Sequence, residues 1–308
     1  VLVGVLMVIG AVVWTVRPAG STVAARFVPA ATATPAPTTQ APTPTPTPKP
    51  TASSTTHAAA PPARPKSKKG VSTWDFSGVG AALADVHASW YYNWSASRTA
   101  NAGTSAEFVP MIWGAGSVTQ STLDKARSGG TTILGFNEPD FSSQANMTVA
   151  RALDLWPQLQ ATGRRLGSPA VATGAATAGG WLDQFMAGAR QRGLRVDFIT
   201  LHWYGSDFSA NAVGQLESYV KATYNRYHLP IWLTEFALIK FAGSGSVYPS
   251  ADQQVAFVNG ATAMLNGLSY VERYAWFALP TSKDTDATGL YRNGTTATPV
   301  GVAYRNVP

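Results

Sequence analysis

Short runs of apolar, β-branched and aromatic residues recur from residue 71 onward, separated by longer stretches with a helical repeat. Eight runs predict strands: 71–76 (VSTWDF), 88–94 (ASWYYNW), 108–113 (FVPMIW), 131–137 (TTILGFN), 165–171 (RLGSPAV), 196–204 (VDFITLHWY), 230–237 (PIWLTEFA) and 271–278 (VERYAWFA). The helical pattern is clearest over 148–161, 179–191, 211–225 and 251–267, and Pro157 should kink or shorten the first of these. The strand runs are almost continuously apolar, as strands buried on both faces are. Strands alternating with helices predict a parallel sheet, and eight such units in residues 70–308 predict a (β/α)8 TIM barrel. A doubly wound open sheet is the alternative. The first three units are crowded and leave room for a misplaced strand or helix.

The pattern is different before residue 70. Residues 1–16 (VLVGVLMVIGAVVWTV) are uncharged and end at Arg17-Pro18, which fits a signal or membrane-anchor segment. Both a cleaved and a retained form fit. Residues 17–69 read as a disordered Thr/Pro-rich linker, with alternating Thr-Pro over 41–50 (APTPTPTPKP) favouring extended polyproline II. These segments predict an exported or cell-surface protein with a membrane or wall tether. Residues 70–308 are then one folded domain, expected to act as a monomer.

The 308-residue chain has a formal net charge of +7, which points first to an acidic partner. Its distribution argues otherwise. Residues 1–70 hold seven basic and no acidic residues, whereas 71–308 hold 16 of each. A nucleic-acid binder places its charge on a folded face, so no nucleic-acid partner is expected. With no cysteine there is no thiol nucleophile and no Cys-ligated zinc. The four histidines (His57, His87, His202, His228) lack zinc-type spacing, so neither a metal nor any other cofactor is expected.

Catalytic groups of such barrels sit at the C-terminal ends of strands. Glu138 and Glu235 both fall there, on the fourth and seventh predicted strands, whereas Glu272 starts its strand and faces the opposite mouth. Two carboxylates across a cleft suit glycosidic bond cleavage, provided their surroundings separate their proton affinities. Asp140, Asp75 and Asp197 read as structural. His202 and Tyr204 share one strand face by period-two alternation, so one of them should orient Glu235. Sugar C–H faces pack on aromatic rings, which makes Trp113, Trp276, Tyr92 and Trp94 candidates for the cleft, with Asn93 as a polar contact. Trp203 points away or caps its strand, and its part in substrate binding is less defined.

GFNEPD (135–140) and WLTEF (232–236) resemble glycoside hydrolase family 128. FVPMIWG (108–114), QANM (144–147), LGSPAV (166–171), VDFITLHWYG (196–205) and RYAWF (273–277) follow in that family's order. The resemblance implies a clan A type barrel that cleaves internal β-1,3-glucosidic bonds of glucans with retention. It implies Glu138 as acid/base and Glu235 as nucleophile. It also implies that Asn137 binds the sugar 2-hydroxyl and that Tyr204 orients Glu235. The start departs from the family pattern at Lys69-Gly70-Val71-Ser72-Thr73-Trp74-Asp75, where many members carry Lys-Arg-Gly-Leu and an Asn-Asp pair. The alternatives are a related glycosidase acting on another β-glycan and a non-catalytic glucan-binding wall protein.

Overall fold

Each of the eight expected strand runs contributes a strand or bridge to one parallel system. The computed structural model describes residues 67–103, 105–242, 245–281 and 288–308. The N-terminal apolar segment and nearly all of the Thr/Pro linker lie outside the described residues. In chain order the first elements are β1 (Lys69–Ser72), α1 (Val79–Asp85), β2 (Trp90–Tyr92), β3 (Glu107–Phe108), α2 (Gln120–Gly129) and β4 (Thr132–Ile133). There follow α3 (Val149–Gln160), β5 (Arg165–Leu166), α4 (Trp181–Gln191), β6 (Ile199–Gly205), α5 (Asn211–Tyr227) and β7 (Ile231–Leu238). The chain closes with a hairpin, β8 (Lys240–Ala242) and β9 (Gly245–Val247), then α6 (Ala251–Gly267), β10 (Val271–Trp276) and α7 (Pro299–Arg305). Among the described residues, no helix is long and apolar enough to cross a membrane.

Six strands form a parallel sheet in the order β3-β2-β1-β10-β7-β6, and β4 pairs with β5, also in parallel. Isolated parallel bridges link Met111 to Leu134, Asn137 to Ala170 and Gly167 to Phe198. The strands β3, β4 and β5 are short for identifiable reasons. Pro110 and Pro169 have no N–H for the ladder. Gly135 lies so close to the next strand that a Cβ there would sit 2.8 Å from the Gly167 carbonyl oxygen. The crowded early units keep their strands, but no described residue between β2 and β3 is helical. Pro157 does not end α3, which continues to Gln160 with Leu153, Trp156 and Leu159 buried beneath it. Helix α6 begins in a complete capping box formed by Ser250 and Gln253.

Side chains divide between two faces. One face of the sheet gathers Trp90, Tyr92, Val109, Met111, Leu134, Phe198, Trp232 and Ala275. The other packs against the helices through a larger cluster that includes Tyr91, Ile199, Leu201, Leu233, Phe236, Tyr274 and Trp276. Helices thus cover one face and leave the first, aromatic face to carry chemistry at its C-terminal edge.

Two consecutive lysines fasten the start of this sheet. The Lys68 ammonium donates to the carbonyls of Leu265, Asn266 and Leu268 at the end of α6. The Lys69 ammonium donates to those of Tyr304, Arg305 and Val307 at the end of α7. Each cation satisfies carbonyls that a helix C-terminus leaves open, where positive charge is also favoured. The expected linker boundary at residue 69 therefore falls inside the first strand. Lys69→Met keeps the stem but leaves buried acceptors unpaired, and should cost about 1–3 kcal/mol of stability. A lower urea midpoint at unchanged slope would register this loss; an unmoved midpoint would refute it.

Candidate active site

Glu235 reaches the aromatic face because of one extra residue. Along β6 the alternation is regular, with Phe198, Thr200, His202 and Tyr204 on the same side. The neighbouring register pairs Thr200 with Trp232 and Leu201 with Leu233, but then pairs His202 with Glu235 and Trp203 with Phe236. Thr234 is thus a bulge residue, and it inverts the alternation of β7 from there on. Without it, Glu235 would face the helices. With it, Glu235 stands beside His202, only 4 % exposed.

Three side chains donate to this carboxylate. The Tyr92 hydroxyl and the Trp94 indole N–H reach Oε1 at 2.9 and 2.8 Å. The Tyr204 hydroxyl donates to Oε2. Burial, followed by the adjacent Glu235 charge, pushes both tyrosine hydroxyls well above their ordinary pKa, so they remain donors. Together they fix the carboxylate's position.

Glu138 stands across from it at the end of the fourth strand segment. Its N–H donates to the Ala170 carbonyl at 2.7 Å. Its φ is +42°, a left-handed conformation that costs a non-glycine residue about 1–3 kcal/mol and collects at functional sites. Pro139 follows immediately. Oε1 lies 2.8 Å from His202 Nδ1, and His202 Nε2 lies 3.4 Å from Glu235 Oε1. One oxygen of each carboxylate and a ring nitrogen of His202 all lie within 4.8 Å of one another. Burial raises the Glu138 pKa above the usual carboxylate range, more than the His202 contact lowers it. Burial opposes charge on His202, but Glu235 and Glu138 together outweigh it and raise its pKa. Beside them, Asn137 is buried, and its amide N–H donates to Gln144 at 3.2 Å. Its Oδ1 has no partner among the described residues.

The structure redistributes several predicted site residues. Trp276 does not face the site. It shares the helix-side face with Phe236, packs on Phe257 and Tyr304, and donates its indole N–H to the Thr288 carbonyl. Strand parity explains this, since Ala275 takes the aromatic face. The next residue, Phe277, touches Trp94 and Tyr204 instead, and the sequence reading missed it. Trp203 also faces the helices, stacked on Phe257. Tyr92 is fully buried beneath Glu235 and offers no surface to a sugar. Asn93 spends its amide inside its own loop, on Ser97, Thr99 and Ser95. Trp94 and Trp113 remain half-buried against the aromatic cluster. Asp140 accepts the Ala172 N–H, and Glu272 pairs with Arg165 and the Trp232 indole at the opposite edge.

Glu138, His202 and Glu235 are also the residues that could present a cation with three ligands. Glu235 accepts three donors and Glu138 meets His202. The trio suits proton transfer and nucleophilic attack at an acetal carbon.

Residues 75–304 match the family described as glycosyl hydrolase catalytic core. A crystal structure of a family 128 (subgroup I) endo-β-1,3-glucanase from Amycolatopsis mediterranei, in complex with laminarihexaose, is 63 % identical with a TM-score of 0.76. The match covers 78 % of this chain and 99 % of that one. A subgroup II endo-β-1,3-glucanase from Sorangium cellulosum is 29 % identical with a TM-score of 0.66, covering 79 % and 99 %. Alkali-sensitive linkage protein 1 of Schizosaccharomyces pombe is 37 % identical over 196 residues, 61 % of this chain. The matched region spans only 34 % of that curated relative's length. With the catalytic core matched almost throughout the folded part, and a 63 % identical relative covered nearly end to end, the chain belongs to glycoside hydrolase family 128.

Proposed function

We propose that this protein is a retaining glycoside hydrolase that cleaves internal β-1,3-glucosidic bonds of glucans. The observation that carries the reading is the approach of the two carboxylates, with oxygens within 4.8 Å. Retaining enzymes hold theirs about 5–5.5 Å apart, whereas inverting enzymes leave room for a water between them. Glu235 attacks the anomeric carbon as Glu138 protonates the departing glycosidic oxygen, leaving a glucosyl ester. Glu138, now ionised, takes a proton from water as that water displaces Glu235. Asn137 Oδ1 is free to accept from the sugar 2-hydroxyl. Trp94 and Trp113 supply apolar surface to the bound chain.

In the same reading the sheet closes into an eight-stranded barrel. The isolated bridges from Met111 and Gly167 support this, because they join the β4–β5 pair to the strands on either side, and the Asn137–Ala170 bridge extends that pair. The apolar residues 1–16 and the Thr/Pro stretch support an exported or surface-tethered enzyme.

The test is incubation of the full chain with linear β-1,3-glucan, following products by size and by proton NMR. Short oligosaccharides born as the β-anomer are expected. An α-anomer at first release would overturn retention. Absence of products with persistent glucan binding would leave a binding protein.

A further inference from the structure

The strand segment that delivers Glu138 stops being a strand at one hydrogen bond. Asn137 and Ala170 form a parallel bridge: the Ala170 N–H donates to the Phe136 carbonyl, and the Glu138 N–H donates to the Ala170 carbonyl. Bonds along a parallel ladder are evenly spaced, so the next would run from the Ala172 N–H to the Glu138 carbonyl. That bond is not made. The Glu138 carbonyl accepts the Phe141 N–H at 3.0 Å instead, closing a turn over Pro139 and Asp140. The Ala172 N–H donates to the Asp140 carboxylate at 2.8 Å, and the Thr173 N–H approaches the same group.

A side-chain acceptor has thus replaced a main-chain one, with a consequence for the site. Glu138 holds its φ of +42° while its carbonyl is turned out of the ladder. Such a conformation persists only where its surroundings over-determine it. An extended Glu138 would return its carbonyl to Ala172 and carry its side chain away from His202, which it meets at 2.8 Å. The segment that Asp140 grips is itself anchored to α5. The Ala175 N–H donates to the Tyr219 hydroxyl at 3.3 Å, and its carbonyl accepts from the Tyr227 hydroxyl at 2.7 Å. Because the Asp140 carboxylate is spent on backbone donors, it acts on the reaction through Glu138 and not on the sugar.

We infer that Asp140 is a positioning residue: its carboxylate takes the ladder bond that the Glu138 carbonyl gives up, and so holds Glu138 in the left-handed turn that aims its carboxyl at the glycosidic oxygen. The kinetic part of this inference rests on the glucanase reading above.

The experiment compares the full chain with its Asp140→Ala and Asp140→Asn variants on linear β-1,3-glucan and on a dinitrophenyl laminaribioside, whose leaving group needs no proton. Asparagine keeps an oxygen that can accept from Ala172, and alanine removes it. Asp140→Ala should lose about 10- to 100-fold in kcat on glucan with KM within about threefold, the cost of misplacing a catalytic group by about 1 Å. Its kcat/KM on the dinitrophenyl substrate should stay within about threefold of wild type, since that departure needs no acid. Asp140→Asn should keep glucan activity within about fivefold of wild type. Equal losses of Asp140→Ala on the two substrates would overturn the inference, as would an unchanged rate on glucan or a loss in Asp140→Asn as large as in Asp140→Ala. Crystal structures of the variants give a readout independent of turnover. Glu138 should stand at negative φ and apart from His202 in the alanine protein, and unmoved in the asparagine protein. An unmoved Glu138 in the alanine protein overturns the inference. If the wild type cleaves neither substrate, the glucanase reading fails, and the crystal structures alone decide on Asp140.

Discussion

Replacing Glu235 by glutamine is expected to reduce glucan hydrolysis by about 10,000- to 1,000,000-fold, the range seen when a covalent nucleophile is removed. The substitution is isosteric, and the amide oxygen can still accept from Tyr92, Trp94 or Tyr204. The fold should therefore survive, which circular dichroism and the denaturation midpoint will check. What disappears is the charge that attacks the anomeric carbon. Glu235→Ala extends the test by opening a space on that side of the sugar. Added azide can enter it, attack the anomeric carbon and release the leaving sugar with Glu138 still acting as the acid. The product should be the α-glucosyl azide, because one displacement inverts configuration once. A β-glucosyl azide from this variant would exchange the roles of the two carboxylates. Residual activity above about one percent in Glu235→Gln would remove Glu235 from covalent catalysis altogether.

The parts of this site that were legible in the sequence, and those that were not, separate along a physical line. Eight apolar runs announced the strands because both faces of each are buried, and the strand ends placed Glu138 and Glu235 together. The pairing of His202 with Tyr204 was equally readable, since β6 alternates without interruption. Strict alternation fails on β7, where Thr234 is inserted opposite no residue of β6. From Trp232, counting by twos puts Glu235 on the wrong face; its place at the strand's end and its motif revealed it. The same kind of error misplaced Trp276. A large ring near a strand end looks like a sugar platform, but parity turned it to the helices and left Phe277 at the site. Tyr92 and Trp94 carried a usable signal, since they stand two apart at the end of one strand. Aromatic chemistry hid what they do, which is to donate hydrogen bonds to Glu235. The roles of Lys68 and Lys69 depend on helix ends some 200 residues away, which no local pattern encodes.

Glu138→Gln should lose about 100- to 10,000-fold on glucan, the usual contribution of a positioned general acid. The loss should nearly vanish for a substrate whose leaving group needs no proton. With a dinitrophenyl laminaribioside, the phenolate departs unaided when Glu235 attacks. Formation of the glucosyl ester then proceeds, and kcat/KM should stay within about tenfold of wild type. Breakdown of the ester still needs a base, so the ester should accumulate, giving a burst, a low kcat and a low KM. Azide needs no base and should restore kcat, releasing the β-glucosyl azide after two inversions. The pH profile supplies an independent check. Burial raises the Glu138 pKa, despite the opposing contact with His202. The acid form therefore persists to higher pH than in an exposed glutamate, and wild-type activity on glucan falls as pH rises through that raised pKa. Glutamine cannot ionise, so the variant's residual activity should lack this alkaline limb. An alkaline limb that survives the substitution would assign the titration to His202, whose pKa the same two carboxylates raise. Equal losses on glucan and on the dinitrophenyl substrate would mean that Glu138 positions the sugar and does not protonate the leaving oxygen.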